Sequence, residues 1–382
     1  MNKGFIILGY LALIALSFLD NGRGATYPQI LESFNVTGNQ GAMIFSLASF
    51  TGLLVNFTTS YWLPRTGLVW GTRIFILFLA LASLGLYLSA QIGHFWVVLV
   101  FASLAGVGFG GIGITMNIMV SEGSPIHLRR RFLSGLHGTY GVASFLAPLI
   151  FNLILSLGGN WSIYFLLSSL PAIFIFLYSF KVVDTHKESI KNSYTKIKTS
   201  PFLKIAIGLY MGLYVASEIL LSTRLTLYLT QVKSLGIETA NNYLSGFFLC
   251  LLVGRLSFAA INIRISSSKL LNFSLVITLC AFLLGFYVHP VFLSFCGLTM
   301  SYFFPVSVEW INENFKDISH LLISSSMTSI GLILMLMHQL FGLLTEGVGL
   351  NYAFLSFLFF NLGSFLVFHL LRRSHFLKFE TK

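Results

Sequence analysis

Apolar runs of about 20 residues recur along this chain with only short polar interruptions, and that recurrence limits the fold more than any single motif does. A run of that length spans the hydrocarbon core of a bilayer as a helix. Inside the bilayer the backbone polar groups must be satisfied within the segment itself. Read in order, the runs predict helices near 4–30, 39–63, 71–91, 95–120, 132–157 and 161–181. A second set follows near 202–230, 240–262, 269–288, 290–311, 320–345 and 350–371. Charged residues make up only 9% of the chain, against roughly 25% in ordinary soluble domains. The fold class expected is therefore an all-α polytopic membrane protein with 12 transmembrane helices and no room for a soluble domain. The N-terminus, with Lys3 ahead of an apolar core, imitates a secretory leader. It has no small-x-small cleavage site, and the apolar run continues into a polar cluster, so it reads as a retained first span.

The long polar stretch is Lys181–Lys204, KVVDTHKESIKNSYTKIKTSPFLK, in which six lysines face Asp184 and Glu188. It divides the chain into two nearly equal parts: 1–181 as a first six-helix bundle, 182–200 as a basic linker and 201–382 as a second bundle. Such a duplication is the layout of many secondary transporters. Charge placement predicts orientation. If both termini are cytoplasmic, that side collects Lys3, Arg65, Arg73, Arg129–Arg131, the linker lysines, Arg264, Lys269, Lys316, Arg372, Arg373, Lys378 and Lys382. The opposite loops hold Lys233 alone. The net charge of +11 is thus accounted for by the positive-inside rule, without nucleic acid as a partner. Cys250, Cys280 and Cys296 lie inside apolar runs at spacings that match no metal site or disulfide framework.

Polar residues at membrane depth are the functional candidates, because each is costly unless it faces the protein interior or a watery cavity. The stretch Leu11–Leu31 carries Asp20, Asn21, Arg23, Thr26 and Pro28. Asp20 and Arg23, three residues apart, share a helix face and can pair. Glu218 sits 17 residues after Pro201, as Asp20 sits 17 after Lys3. At about 1.5 Å per residue, both lie roughly 25 Å along matching helices, and each is followed by an arginine, Arg23 and Arg224. Burial disfavours a charged carboxylate and a nearby cation favours it; the balance suits groups that gain and lose a proton during a cycle. The competing reading is two structural ion pairs. Asn117 in the fourth span, His137 and Tyr140 in the fifth, and His338 and Gln339 in the eleventh are further cavity candidates. A histidine there can shuttle protons near neutral pH or serve as a neutral, hydrogen-bonded core residue. Aligning Gly141 with Gly331 places Pro148 opposite His338, a further sign of duplication. Glu122 and Glu309 end the fourth and tenth spans beside basic loops and are candidate gate residues. Arg255 in the eighth span can snorkel or pair with such an acid.

Gly106, Gly108 and Gly111 match the dinucleotide fingerprint GxGxxG, but no strand precedes them, so close helix packing is the expected role. No HExxH, GxSxG or His-x4-Asp pattern occurs, and no phosphate-binding loop, so neither catalysis nor ATP-driven pumping is expected, and no cofactor or metal is implied.

The segments SEGSP and RRRFLSGLHGTYGVASFLAP after Asn117, with YVASEILLSTRLTLYLT and NNYLSGFFLCLLVGRL, resemble the major facilitator superfamily over the whole chain. More narrowly they resemble its fucose and glucose/galactose permease branch. The resemblance implies two six-helix bundles around a central cavity, alternating access, a sugar-like solute, proton coupling, a monomer, and a bacterial inner membrane as the location. Glu218 falls on that branch's acidic position in span seven, while Arg224 stands where a tryptophan is common. Other positions depart from the pattern. TSYWLPRTGLVWGTR has Pro64 where the superfamily's loop aspartate belongs. Gly113 and Ile118 occupy the positions of the branch's acid and proline around Asn117, and its span-one acid aligns with Gly24 rather than Asp20. The expected function is secondary active transport of a small polar solute, with Asp20 and Glu218 as proton or substrate carboxylates and Arg23 and Arg224 balancing them or binding an anionic group. Proton-driven export of a small organic compound, drug-like or siderophore-like, is the alternative.

Overall fold

The computed structural model describes residues 1–183, 200–261, 265–316 and 318–373. Most of the expected linker, 184–199, lies outside the described residues, as do Arg264, Lys378 and Lys382. All the regular structure described is helical. The first half comprises α1 (Lys3–Phe34), α2 (Gly38–Phe57), α3 (Thr59–Ile92), α4 (Phe95–Gly123), α5 (Arg129–Ser156) and α6 (Trp161–Ser179). The second comprises α7 (Pro201–Gln231), α8 (Ile237–Ala260), α9 (Ser267–Tyr287), α10 (Val291–Met300), α11 (Phe303–Asn314), α12 (Ser319–Val348), α13 (Leu350–Phe354) and α14 (Ser356–Arg373). Eleven helical segments are long and apolar enough to cross a membrane, α10 with α11 and α13 with α14 each counting as one. The 24 residues of α8 complete the expected twelve.

Two boundaries differ from expectation for physical reasons. The second span ends at Phe57, and α3 begins at Thr59 and runs as a short helical stretch until Gly67 redirects it. Gly67 has φ 72°, a left-handed backbone that a residue with a Cβ adopts only at a cost. The tenth span breaks at Ser301–Tyr302 instead of running through. Pro305 follows in the first turn of α11, the part of a helix where a missing N–H costs nothing.

Small residues set the packing. A Cβ on Gly106 of α4 would sit 2.1 Å from the Ala48 carbonyl oxygen of α2. In the other half, a Cβ on Gly297 of α10 would sit 2.1 Å from the Phe247 carbonyl oxygen of α8. The same backbone-to-backbone approach thus recurs at corresponding helix pairs. Gly108 and Gly111 face Leu79 and the Phe75 ring of α3. The glycine-rich stretch is a packing surface, as expected.

The helices alternate direction, so Lys3, Arg65, Arg129, Arg131, Lys204, Lys269, Arg372 and Arg373 share one end of the molecule, here the basic end. Lys233 lies at the far end, where its ammonium donates to the Phe286 carbonyl. Arg73 is buried at the basic end; its guanidinium donates to the Ser179 and Val182 carbonyls at 2.8 Å each, closing the C-terminus of α6.

Candidate functional site

The two halves meet along three seams, α1 with α7, α2 with α12, and α5 with α8. Each is closed toward the far end. On α1 and α7 the backbones touch: a Cβ on Gly24 would lie 2.5 Å from the Ser222 carbonyl oxygen. On α2 and α12, Gln339 donates to Asn39 at 2.6 Å, and the Asn39 amide donates to Glu346. On α5 and α8, Asn241 donates to Asn152 at 2.9 Å, Asn152 donates to Asn242 and the Glu238 carbonyl, and Ser245 donates to the Phe145 carbonyl. A shallow cleft of about 590 Å³, lined by Gln29, Glu32, Leu227, Thr230 and Thr345 among others, forms the far mouth above this closure.

The seams part toward the basic end. A Cβ on Gly141 would meet Leu252 at 2.8 Å, yet one on Gly138, a turn closer to the basic end, would meet nothing within 4 Å. Gly331 still faces Leu53, whereas Ser324, seven residues back on the same face of α12, is exposed. On the α1–α7 seam the residues one turn below the Gly24–Ser222 contact are Asp20 and Glu218, both partly exposed. Asp20 and Glu218, one carboxylate from each half, thus lie just below the far-end closure, on the side where the seams loosen.

Each carboxylate has its own cation. Asp20 pairs with Arg23, three residues on, and accepts a hydrogen bond from the Tyr140 hydroxyl of α5 at 3.2 Å. Asn21 anchors the same turn, donating to the Ser17 carbonyl and to Ser144. Glu218 does not pair with Arg224. Residues six apart lie about 240° apart around a helix, so Arg224 points elsewhere and Glu218 meets Arg255 of α8 at 3.5 Å. Arg255 therefore lies beside Glu218 rather than with the acids of the basic end. The Tyr214 hydroxyl, one turn below Glu218, donates to the Met300 carbonyl at 2.5 Å. That carbonyl belongs to the broken tenth span. The Tyr214 ring stacks on Phe303 at 3.5 Å, and Tyr302 stacks on Phe258 of α8. Irregular backbone at membrane depth needs such partners.

Arg224 is fully buried among aromatic rings, 4.5 Å from Tyr27 of α1, 4.1 Å from Phe45 of α2 and 5.1 Å from Phe341 of α12. His338 also stacks against Phe45. Arg23 also approaches Phe45, at 5.2 Å, and Phe109 at 4.7 Å. Phe45 thus gathers two guanidinium groups and an imidazole at the far-side closure.

The structure brings Asp20, Asn21, Arg23 and Tyr140 into one group and Glu218 and Arg255 into another, with Arg224 and His338 above them. His137 is exposed on α5, within electrostatic reach of Arg255. Asn117 is partly exposed and donates to the Gly113 carbonyl of its own helix at 2.8 Å. Gln339 belongs to the α2–α12 seam. Glu122 and Glu309 lie at the basic end of α4 and α11, away from Asp20 and Glu218. Tyr214, Tyr27, Phe45 and Phe341 were not singled out from sequence, because an aromatic residue in an apolar run carries no mark separating a lining position from core. The break after Met300 had a signal in Pro305, which has no N–H to give the Ser301 carbonyl four residues back and whose ring crowds it.

A family model described as Major Facilitator Superfamily matches residues 9–317. No curated protein matches the chain. Among solved structures, the D-xylose-proton symporter has a TM-score of 0.78 at 12% identity, covering 97% of each chain. A bacterial homolog of the human lysosomal transporter Spinster, inward-facing and unoccupied, has a TM-score of 0.73 at 13% identity over 98% of each chain. The E. coli fucose:proton symporter FucP has a TM-score of 0.64 at 16% identity, covering 97% of this chain and 98% of its own.

Proposed function

The chain belongs to the Major Facilitator Superfamily, a multi-pass integral membrane transporter and not an enzyme, and from that premise we propose that it moves a small polar solute by proton-coupled alternating access. The observation that carries this reading is the pair of partly exposed carboxylates, Asp20 and Glu218, one from each half, just below the far-end closure on the side where the seams loosen. Each is paired with an arginine, and Asp20 also accepts from the Tyr140 hydroxyl, so protonation of the acid frees a cation between the two halves. That release is a local charge change able to bias a two-state element. The seams supply the element: closed at the far end here, closed at the basic end in the opposite state, with Glu122 and Glu309 available as latches beside the basic loops.

A sugar-like solute is supported by the two similar structures described as a D-xylose-proton and a fucose:proton symporter. The charge asymmetry supports cytoplasmic termini, while a bacterial inner membrane and a monomeric state rest on the family resemblance. In that orientation the looser side of the seams faces the cytoplasm, a state from which an exporter loads; proton-driven export of a small organic compound is the reading this observation favours second.

The test is proton flux in proteoliposomes holding a pH dye, screened against sugars, organic acids and amphiphilic exporter substrates. The Asp20→Asn, Glu218→Gln double variant is the control. A solute that moves protons only through the unaltered chain supports the reading; equal solute-linked flux through both proteins contradicts it.

A further inference from the structure

The central charges do not balance. Asp20 is paired with Arg23 and Glu218 with Arg255, which leaves Arg224 without a carboxylate. Its exposure is 0%, and Nε, Nη1 and Nη2 all lack a hydrogen-bond partner among the described residues. Arg23 Nη1 and His338 Nδ1, on the same Phe45-centred cluster, lack one as well. A guanidinium cannot shed its proton. Aromatic faces attract its charge but accept none of its N–H groups in the plane where a carboxylate would. Buried donors left unmade are costly, so a cluster of this kind points to an acceptor bound in another state of the cycle.

The cage lies across the seams that must separate for the far side to open. Tyr27 and Phe45 come from the first half; Arg224, His338 and Phe341 come from the second. Opening the far side pulls the first two rings away and exposes the guanidinium fork at the top of the substrate path. Closing it returns Arg224 to the rings and withdraws it from the path as the seams loosen at the basic end. An anionic group bound at the far side would thereby lose its counter-charge on transfer to the basic side.

We propose that Arg224, with Arg23 and His338 beside it, is a carboxylate subsite, and that the solute is a small organic acid of the sugar-acid kind instead of a neutral sugar. This rests on the transport reading above, but its test is separable from it. Purified full-length protein is titrated with D-glucuronate and with D-glucose, which share a ring and differ in the carboxylate, and the shift in unfolding temperature gives apparent affinity. D-Gluconate, L-lactate and citrate complete the set. The expected result is an acid bound roughly 10- to 150-fold more tightly than its neutral counterpart, the range of a charge-assisted hydrogen bond. The preference is expected to vanish in Arg224→Gln and to persist in part in Arg224→Lys, which keeps the charge but not the fork. Neutral sugar bound as well as every acid, or an acid preference unchanged in Arg224→Gln, overturns the proposal. If Arg224→Gln is not recovered as a monodisperse protein, the acid-versus-neutral preference of the unaltered chain and its reduction in Arg224→Lys decide. Proton flux with a neutral sugar and no acid preference would remove the carboxylate subsite and leave the transport reading standing. Acid binding through Arg224 without proton movement would do the reverse.

Discussion

Replacing Gly24 by alanine should hold the molecule open at the far end. The added Cβ would fall 2.5 Å from the Ser222 carbonyl oxygen and 3.3 Å from Thr223 Cα. Both are backbone atoms, so no side-chain rotation relieves the clash, and α1 and α7 must separate by about 1 Å to restore ordinary contact. Overpacking of this kind costs about 1–3 kcal/mol. The cost falls only on the state in which α1 and α7 touch, so the ratio of far-open to far-closed molecules should rise by roughly 5- to 150-fold. The reporter is a cysteine at Ala42, buried against Gly342 in the α2–α12 seam. Its background carries serine at Cys250, Cys280 and Cys296. A membrane-impermeant maleimide added from the far side labels this cysteine at a rate proportional to the open fraction. Gly24→Ala should raise that rate by the same factor and slow transport. An unchanged labelling rate in a folded, normally transporting variant would refute the claim that the α1–α7 contact belongs to one state only.

Arg224→Gln removes an uncompensated buried charge and should raise the unfolding temperature of the ligand-free protein, since apolar or neutral replacements of buried ions are often stabilising by about 1–4 kcal/mol; a lowered unfolding temperature would mean the guanidinium has a partner that matters. Gly106→Val and Gly297→Val should each abolish folding, because the new side chain meets backbone oxygen 2.1 Å from its Cβ. Gly138→Ala, where a Cβ meets nothing within 4 Å, should leave expression and thermal stability unchanged, as size-exclusion profiles would show. Asn152→Ala loosens the far part of the α5–α8 seam and should raise Ala42→Cys labelling, though less than Gly24→Ala does.

The fold was legible because each span announces itself by length and hydropathy. Asp20 and Glu218 stood out for a physical reason as well: an acid in an apolar run has few tolerable places. The identity of their partners was not legible. Asp20–Arg23 is a local pair and follows from helix geometry, but Glu218–Arg255 joins two helices, and sequence spacing alone suggested Arg224. The aromatic cage was hidden by composition, since Phe45, Tyr27 and Phe341 look like any other apolar residues until the seams bring them around one guanidinium. The early start of α3 and the break after Met300 were missed because hydropathy changes little across either.

The central claim is that Asp20 and Glu218 couple solute movement to protons, and driven accumulation compared with exchange tests it most directly. In proteoliposomes containing Asp20→Asn or Glu218→Gln, solute counterflow without a gradient should persist, while accumulation under an imposed proton gradient should be lost. Accumulation equal to that of the unaltered protein in both variants would contradict the account and reduce the two carboxylates to structural ion pairs.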